Sequence, residues 1–423
     1  MGASLGAAAR RRTGRGWQAT LVASACALFA ESHAAARPAG PEEAPPSPLE
    51  LSLAYKAEGW AVPAGRAEGT RYLDNLDLGL TLDLEPLGWE GATFAASGLY
   101  NNRSQLTEAL VGDFQTISNI DNDGSPRLYE LWLEQRLGQG LRAKLGVIDL
   151  NSEFDVNELG GLFINSSHGI APDFSQIGAN GPSIFPAPGL GAMAEAEIRA
   201  WRVRIGLFEG IPRDPERPRR TVFGLTRGEG VLVVAEGERR WSGGRAVLGL
   251  RHHSGDFERW GAPAGTAPAQ SEGSSGAYLI VENRLAGSAA VQLLGFARIG
   301  LAERRIHEVE LYTGAGLVLQ GPLLGFGGEQ LGLALASAWS GAPYRVSLDD
   351  GGTRHETAVE LTYSVPVLSW LTVQPDLQWI VNPGFRPRTG DALALGVRLT
   401  ASFAWRPARA GNEGAPSGAS ARR

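Results

Sequence analysis

The segment DALALGVRLTASFAW, residues 391–405, alternates from end to end. Leu393, Leu395, Val397, Leu399, Ala401 and Phe403 point one way, and Ala394, Gly396, Arg398, Thr400 and Ser402 the other. Side chains leave an extended chain on opposite sides in turn, so this is a β-strand with an oily face and a small, polar face. Such a strand suits a wall with lipid on one side and water on the other. A soluble sandwich would have to cover every oily face with a second sheet.

The same period of two recurs along the chain. Leu49, Leu51, Leu53 and Tyr55 alternate with polar or small neighbours, and Leu76, Leu78, Leu80, Leu82 and Leu84 with Asp77, Gly79, Thr81, Asp83 and Glu85. Phe94, Ala96, Gly98 and Tyr100 form one outward face, Tyr129, Leu131, Leu133 and Leu137 a second, and Leu141, Ala143, Leu145 and Val147 a third. The phase slips near Ala200, which predicts a tight turn or bulge. Further strands are expected at 229–240, 245–254, 276–285, 288–299, 307–319, 330–340, 355–365 and 370–380. Short connections (242–244, 287, 366–368) take turns with long polar ones (208–228, 255–275, 341–354), as in an outer-membrane barrel. Aromatics near strand ends (Trp60, Trp89, Trp201, Trp241, Tyr278, Trp339, Trp370, Trp379 and Trp405) would form girdles at the two interfaces. The expected fold is therefore an all-β, transmembrane antiparallel β-barrel over residues 49–405.

Composition agrees. The 423 residues include 57 Gly and are 43% hydrophobic and 20% charged, enough for one large all-β domain. Arg10, Arg11, Arg12 and Arg15 precede an apolar run from Trp17 to Ala30, and small residues follow at Ala34 and Ala36, so residues 1–36 read as a secretory signal peptide. Removing them moves the formal charge from −6 to −9, which argues against nucleic acid as a partner. Cys26, the sole cysteine, lies inside that run; a lipoprotein reading is disfavoured by Ala23 and by apolar residues continuing to Phe29. The exported chain then has no thiol, no disulfide and no Cys-ligated metal. No later segment reaches about 18 consecutive apolar residues, which excludes helical spans and leaves a barrel open. Residues 37–48 read as a Pro-rich leader and 406–423 as a polar tail.

One connection is unusually long. GVIDLNSEFDVNELGGLFINSSHGIAPDFSQIGANGPSIFPAPG, residues 146–189, leaves the strand pattern and has no sustained period for some forty residues. It carries Asp149, Glu153, Asp155 and Glu158, amides at Asn151, Asn157, Asn165, Gln176 and Asn180, and Phe154, Phe163, Phe174 and Phe185. That density of phenylalanine predicts a loop folded against something, and inside a barrel it would narrow the bore.

These residues resemble the carbohydrate-selective porin family, OprB type, of the Gram-negative outer membrane. The likeness runs through Gly88-Trp89, Val111-Gly112-Asp113, Ser118 to Asp121 and Leu128 to Gln135, and is densest at Leu145-Gly146, Asp149, Asn151, Glu153-Phe154, Phe163 to Gly169, Pro182 and Pro186 to Gly189. It returns at Glu360 to Tyr363, Gln374 to Gln378, Asn382 to Gly384 and Gly396 to Leu399. The resemblance implies about sixteen strands and passive diffusion of sugars, glucose-like ones first; residues 146–189, from their own pattern, are expected to be an inward-folded constriction loop. Sugars as solutes and outer-membrane lipid are the implied partners, with a homo-oligomer as a candidate assembly. The polar tail beyond Trp405 departs from barrels that end at an aromatic residue, and no wall-binding module or coiled coil is expected ahead of the barrel.

Passage needs side chains that replace a solute's water weakly and stepwise. The candidate lining is Glu130, Trp132, Glu134 and Arg136; Arg142 and Lys144; Asp149, Asn151, Glu153 and Asp155 from the constriction; and Arg199, Arg202, Arg204, Arg251, Arg298, Gln374, Asp376, Gln378 and Arg398. For each, the alternative is a solvated wall charge that no solute touches. Facing acids and bases would favour neither ion, so a preference for neutral solutes follows. Ser166, Ser167, His168 and Asp173 cluster in sequence without the spacing of a triad. His252 and His253 leave a strand on opposite faces and cannot share a metal, while His307 and His355 stand alone, so no catalytic residue, metal or cofactor is expected. A general or differently selective porin and a plugged structural or adhesion barrel are the other readings.

Overall fold

A computed structural model describes residues 47–407 except 123, 125, 179, 180, 213–229 and 262–268. The expected signal peptide, nearly all of the leader and of the tail, and Asn180 lie outside the described residues. Sixteen strands run in chain order: β1 (Leu49–Ala64), β2 (Gly69–Asp83), β3 (Ala92–Asn101), β4 (Arg127–Arg136), β5 (Leu141–Ile148), β6 (Gly189–Ile198), β7 (Trp201–Glu209), β8 (Val231–Trp241), β9 (Gly244–Glu258), β10 (Gln270–Gly287), β11 (Gln292–Leu301), β12 (Val309–Gln320), β13 (Gln330–Ser340), β14 (His355–Leu368), β15 (Leu371–Val381) and β16 (Ala392–Trp405). Each pairs antiparallel with its neighbours in sequence, and β1 pairs with β16, closing the barrel. Closure leaves no free edge, which spanning a bilayer requires. No described helix is long and apolar enough to cross a membrane.

The alternation decides which way each strand faces. On β16, Leu395 and Phe403 are 48% and 52% exposed, whereas Ala394 is fully buried and Arg398 nearly so. β10 runs further than expected because its ladder with β9 continues through polar residues Gln270–Ser275, where apolar alternation has already stopped. The slip near Ala200 is a two-residue turn between β6 and β7, with Arg199 at φ 59°.

Three expected outward residues face inward. The register of β3 on β4 shifts between Ser97 and Gly98, and the bulge turns Tyr129 into the lumen, where its hydroxyl donates to Asp149. Trp60 and Tyr278 are not girdle residues: both are about 2% exposed, and their polar atoms donate to wall carboxylates, Trp60 Nε1 to Glu58 (2.6 Å) and Tyr278 OH to Glu236 (2.6 Å). Trp89, Trp201, Trp241, Trp370, Trp379 and Trp405 are exposed, as a girdle requires.

Candidate functional site

The described parts of two long loops, residues 102–126 and 149–188, fold back inside the barrel, and only the second was expected to. Residues 149–188 descend toward the short-turn end. Glu153 meets Arg142 (2.6 Å) and Lys144, and Glu158 meets Arg240 (2.7 Å) and Arg245 (3.4 Å). Arg142 and Arg245 are each the second residue of their strand, so at about 3.3 Å per residue the loop crosses the bore close to the turns. Asp155 takes a bidentate pair from Arg298 (2.9 and 2.7 Å), which also holds Asp173 (2.7 Å).

The wall grips the loop with both signs. Wall bases take the loop's carboxylates, and wall acids take its backbone: the N–H groups of Asp155, Leu159 and Ile164 donate to Glu236 (2.7 Å), Glu282 (2.6 Å) and Glu360 (2.5 Å). A loop buried in a lumen must find acceptors for its amides, and these glutamates provide them. Burial by itself would raise the Glu153 carboxyl, but Lys144 and Arg142 beside it hold it down to about 2. Phenylalanines close the rest: Phe154, Phe174 and Phe208 join Leu232, Val234 and Tyr278, while Phe163 packs on Phe296 (5.9 Å). A side chain at Gly332 would place its Cβ 2.7 Å from the Phe163 ring, so the wall there has to be glycine.

Seven consecutive strands carry alternating charge on the inner face. Glu134 of β4 and Arg142 of β5 pair at 2.8 Å, and Arg142 and Glu195 of β6 at 3.0 Å. Arg204 of β7 bridges Glu195 (3.0 Å), Glu236 (3.2 Å) and Glu238 (2.9 Å) of β8; Arg245 of β9 joins Glu238 (3.3 Å) to Glu282 of β10 (2.5 Å). The ladder register sets this up, since Arg142 lies opposite Glu195, Glu195 opposite Arg204, Arg204 opposite Glu236, and Arg245 opposite Glu282. Part of the belt reaches solvent: the side chains of Arg142, Arg202 and Arg240 are 24%, 31% and 48% exposed.

The described residues of the other inward segment, 102–126, pack on the far wall. Leu106, Leu110, Val111, Ile117 and Ile120 lie against Trp60, Leu73, Ala336, Ala358, Ile380 and Ala394. Glu356 accepts from the N–H groups of Phe114 (2.7 Å) and Gln115 (2.9 Å), Glu58 from Ser118 (2.8 Å), and Arg398 donates to Asn119 (2.6 Å). The two segments also meet: Asn119 N–H donates to the Ile164 carbonyl (2.9 Å) and Ser166 N–H to that of Thr116 (3.0 Å).

Of the expected lining residues, Glu134, Arg142, Lys144, Glu153, Arg202 and Arg204 come together in the belt. Lys144 also stands 4.0 Å over the Trp132 ring. Glu130 accepts from Asp149 N–H (3.0 Å), and Asn151 ties the loop to itself through the Phe154 and Asp155 carbonyls. Gln374 and Gln378 donate to the Leu162 (2.7 Å) and Ile117 (2.9 Å) carbonyls, Asp376 accepts from Gln378 (3.0 Å), and Arg251 donates to the Asp173 carbonyl. Arg136 is exposed at the end of β4, and Arg199 sits in a turn, outside the belt. Glu236, Glu238, Arg245, Glu282, Glu356 and Glu360 were missed; their even spacing on the inner face is the signal that could have found the first two. His168, 1% exposed and held neutral by burial with its pKa near 3, lies 3.8 Å from Glu360, and Asp173 is taken by Arg298, so no Ser-His-Asp arrangement forms. Among the described residues no cluster of three or more His, Cys, Asp or Glu could hold a metal.

Comparison with known proteins gives one family. The model described as carbohydrate-selective porin, OprB family, matches residues 67–403. Porin B of Pseudomonas aeruginosa is 24% identical over 392 residues, which cover 79% of this chain and 82% of that protein. The high-pH structure of Pseudomonas putida OprB superposes with a TM-score of 0.74 at 21% identity, covering 84% of this chain and 94% of that one. Salmonella typhi OmpF, in complex with daunomycin, shares the fold at TM-score 0.54 and 8% identity, covering 84% and 97%. With its closed sixteen-stranded wall and inward-folded loops, the chain belongs to the carbohydrate-selective porins of the OprB family, channel proteins of the Gram-negative outer membrane.

Proposed function

We propose that neutral polyhydroxylated solutes, glucose-like sugars first, diffuse passively along the inner face of β4–β10 past the constriction formed by residues 149–188. The alternation of charge from strand to strand carries this reading. Each carboxylate has a guanidinium or ammonium neighbour, so opposing fields cancel within a few ångströms and a passing ion meets no net attraction. A sugar hydroxyl gains from the same surface, because it donates to a carboxylate and accepts from an arginine one strand away. The partly exposed Arg142, Arg202, Arg240, Glu134 and Glu158 are the groups within reach. Such contacts replace hydration one group at a time and release the solute unchanged. The family's description as carbohydrate-selective supports the assignment.

Liposome swelling tests it. Glucose is expected to swell protein-containing vesicles faster than amino acids of equal size. Equal rates would indicate a general porin, and absence of swelling a plugged structural barrel.

A further inference from the structure

At the short-turn end, which faces the periplasm, the connection between β12 and β13 is the longest, and it is built inside out. In residues 321–329 (GPLLGFGGE), Glu329 is 0% exposed while Leu324 and Phe326 are 72% and 45% exposed. The Glu329 carboxylate accepts the Leu324 N–H (2.8 Å) and the Tyr363 hydroxyl, and Gly321 N–H donates to the Glu329 carbonyl (3.0 Å). Gly325 (φ 101°) and Gly328 (φ 81°) supply the left-handed backbone that wraps the tip around that carboxylate.

The alternation says which side of the wall this lies on. Glu329 shares its face with Leu331, Leu333 and Leu335, the exposed lipid-facing residues of β13, and Tyr363 is the β14 partner of Leu331. The tip is therefore folded over the outer rim and continues the lipid-facing band. In water this arrangement is wrong twice, since it hides a carboxylate and displays a leucine. Against acyl chains it fits: the carboxylate is wrapped by the tip, one of its oxygens taking the Leu324 N–H and the Tyr363 hydroxyl, and the apolar groups face outward.

We propose that residues 322–328 are an apolar finger that inserts into the periplasmic leaflet of the outer membrane, with Leu324 and Phe326 among phospholipid acyl chains and Glu329 as the buried group that shapes it.

The test uses Leu324→Cys labelled with an environment-sensitive fluorophore, in the full chain carrying Cys26→Ser. The protein is reconstituted in phosphatidylethanolamine–phosphatidylglycerol vesicles with iodide on both sides. Leu333→Cys serves as the lipid reference and Ser242→Cys, in an exposed turn of the same end, as the aqueous one. Nitroxide-labelled lipids are expected to quench the Leu324 probe as strongly as the Leu333 probe, and iodide several-fold less than the Ser242 probe. Quenching by iodide equal to that at Ser242, with no response to nitroxide lipids, would overturn the proposal and make the tip an aqueous knob. Adding Glu329→Ala is expected to raise iodide access at Leu324; unchanged access would remove Glu329 from the account.

Discussion

The walls β4–β10 and β12–β16 each hold a loop inside one barrel, by different chemistry. The first is a belt of arginines and glutamates gripping residues 149–188, and part of it is solvent-exposed. The second sets Ala336, Ala358 and Ala394 against Leu110, Ile117 and Ile164 of both loops, with Glu356, Glu360 and Arg398 holding loop groups one by one rather than as a belt. The second wall holds its loops by apolar packing and separate hydrogen bonds, and the first adds a continuous strand-to-strand array of charge, the surface proposed for a polar solute. Under the proposed function, selectivity lies with the first wall and the second is structural.

The hardest blow to that division is Arg204→Met, which leaves Glu195, Glu236 and Glu238 short of a counter-charge and frees the Glu153 carbonyl. Breaking a buried network on one side costs about 3–5 kcal/mol. Single-channel recording is expected to show higher conductance and a zero-current potential shifted toward cations.

Phe163→Ala attacks packing instead. The ring is buried over Gly332 between Phe296 and His168, and its loss is expected to cost about 3–5 kcal/mol in the thermal transition. Ion selectivity stays at the wild-type value; a selectivity change here as large as in the arginine variant would erase the distinction between the walls.

Glu153→Gln separates charge from shape. The folded carboxyl, held down to about 2, lies below its unfolded value near 4.3, so its contribution is complete above that pH and disappears as pH falls toward 2. Thermal scans of wild type and variant are expected to differ by about 1.5–3 kcal/mol at pH 6 and to converge near pH 2. A gap that grew on acidification would mean that the carboxyl is not held charged by Lys144 and Arg142.

Arg202→Gln is the mildest. Its side chain is 31% exposed, so stability is expected to change by less than about 1 kcal/mol while the zero-current potential still moves toward cations. An unchanged potential would take this part of the belt out of contact with the permeating solution.

Strands were legible where their two faces contrast. β16 shows leucines against small or polar residues and its bounds agree within a residue, whereas β2, read from Leu76, begins at Gly69 because its first half pairs with β1 through residues without that contrast. The reading failed where the inner face is itself oily because a loop packs on it: Trp60 and Tyr278 are large aromatics by sequence, and only the buried loops explain their direction. Tyr129 misled for another reason, since a bulge reverses the phase without a mark in composition. The inward fold of residues 149–188 was visible in its phenylalanines. That of residues 102–126 was not, because its anchors are remote: Gln115 and Glu356 are 241 residues apart and Asn119 and Arg398 are 279 apart, and nothing local announces such partners. Likewise Glu236 and Glu282 look like ordinary wall charges until the loop amides they accept are seen.

The most direct test of the self-neutralised belt is to compare swelling rates for glucose, gluconate and glucosamine, three solutes of similar size carrying no charge, a negative and a positive one. The account predicts glucose fastest, with both charged analogues slowed to a similar degree. Faster passage of either charged analogue than of glucose would contradict it.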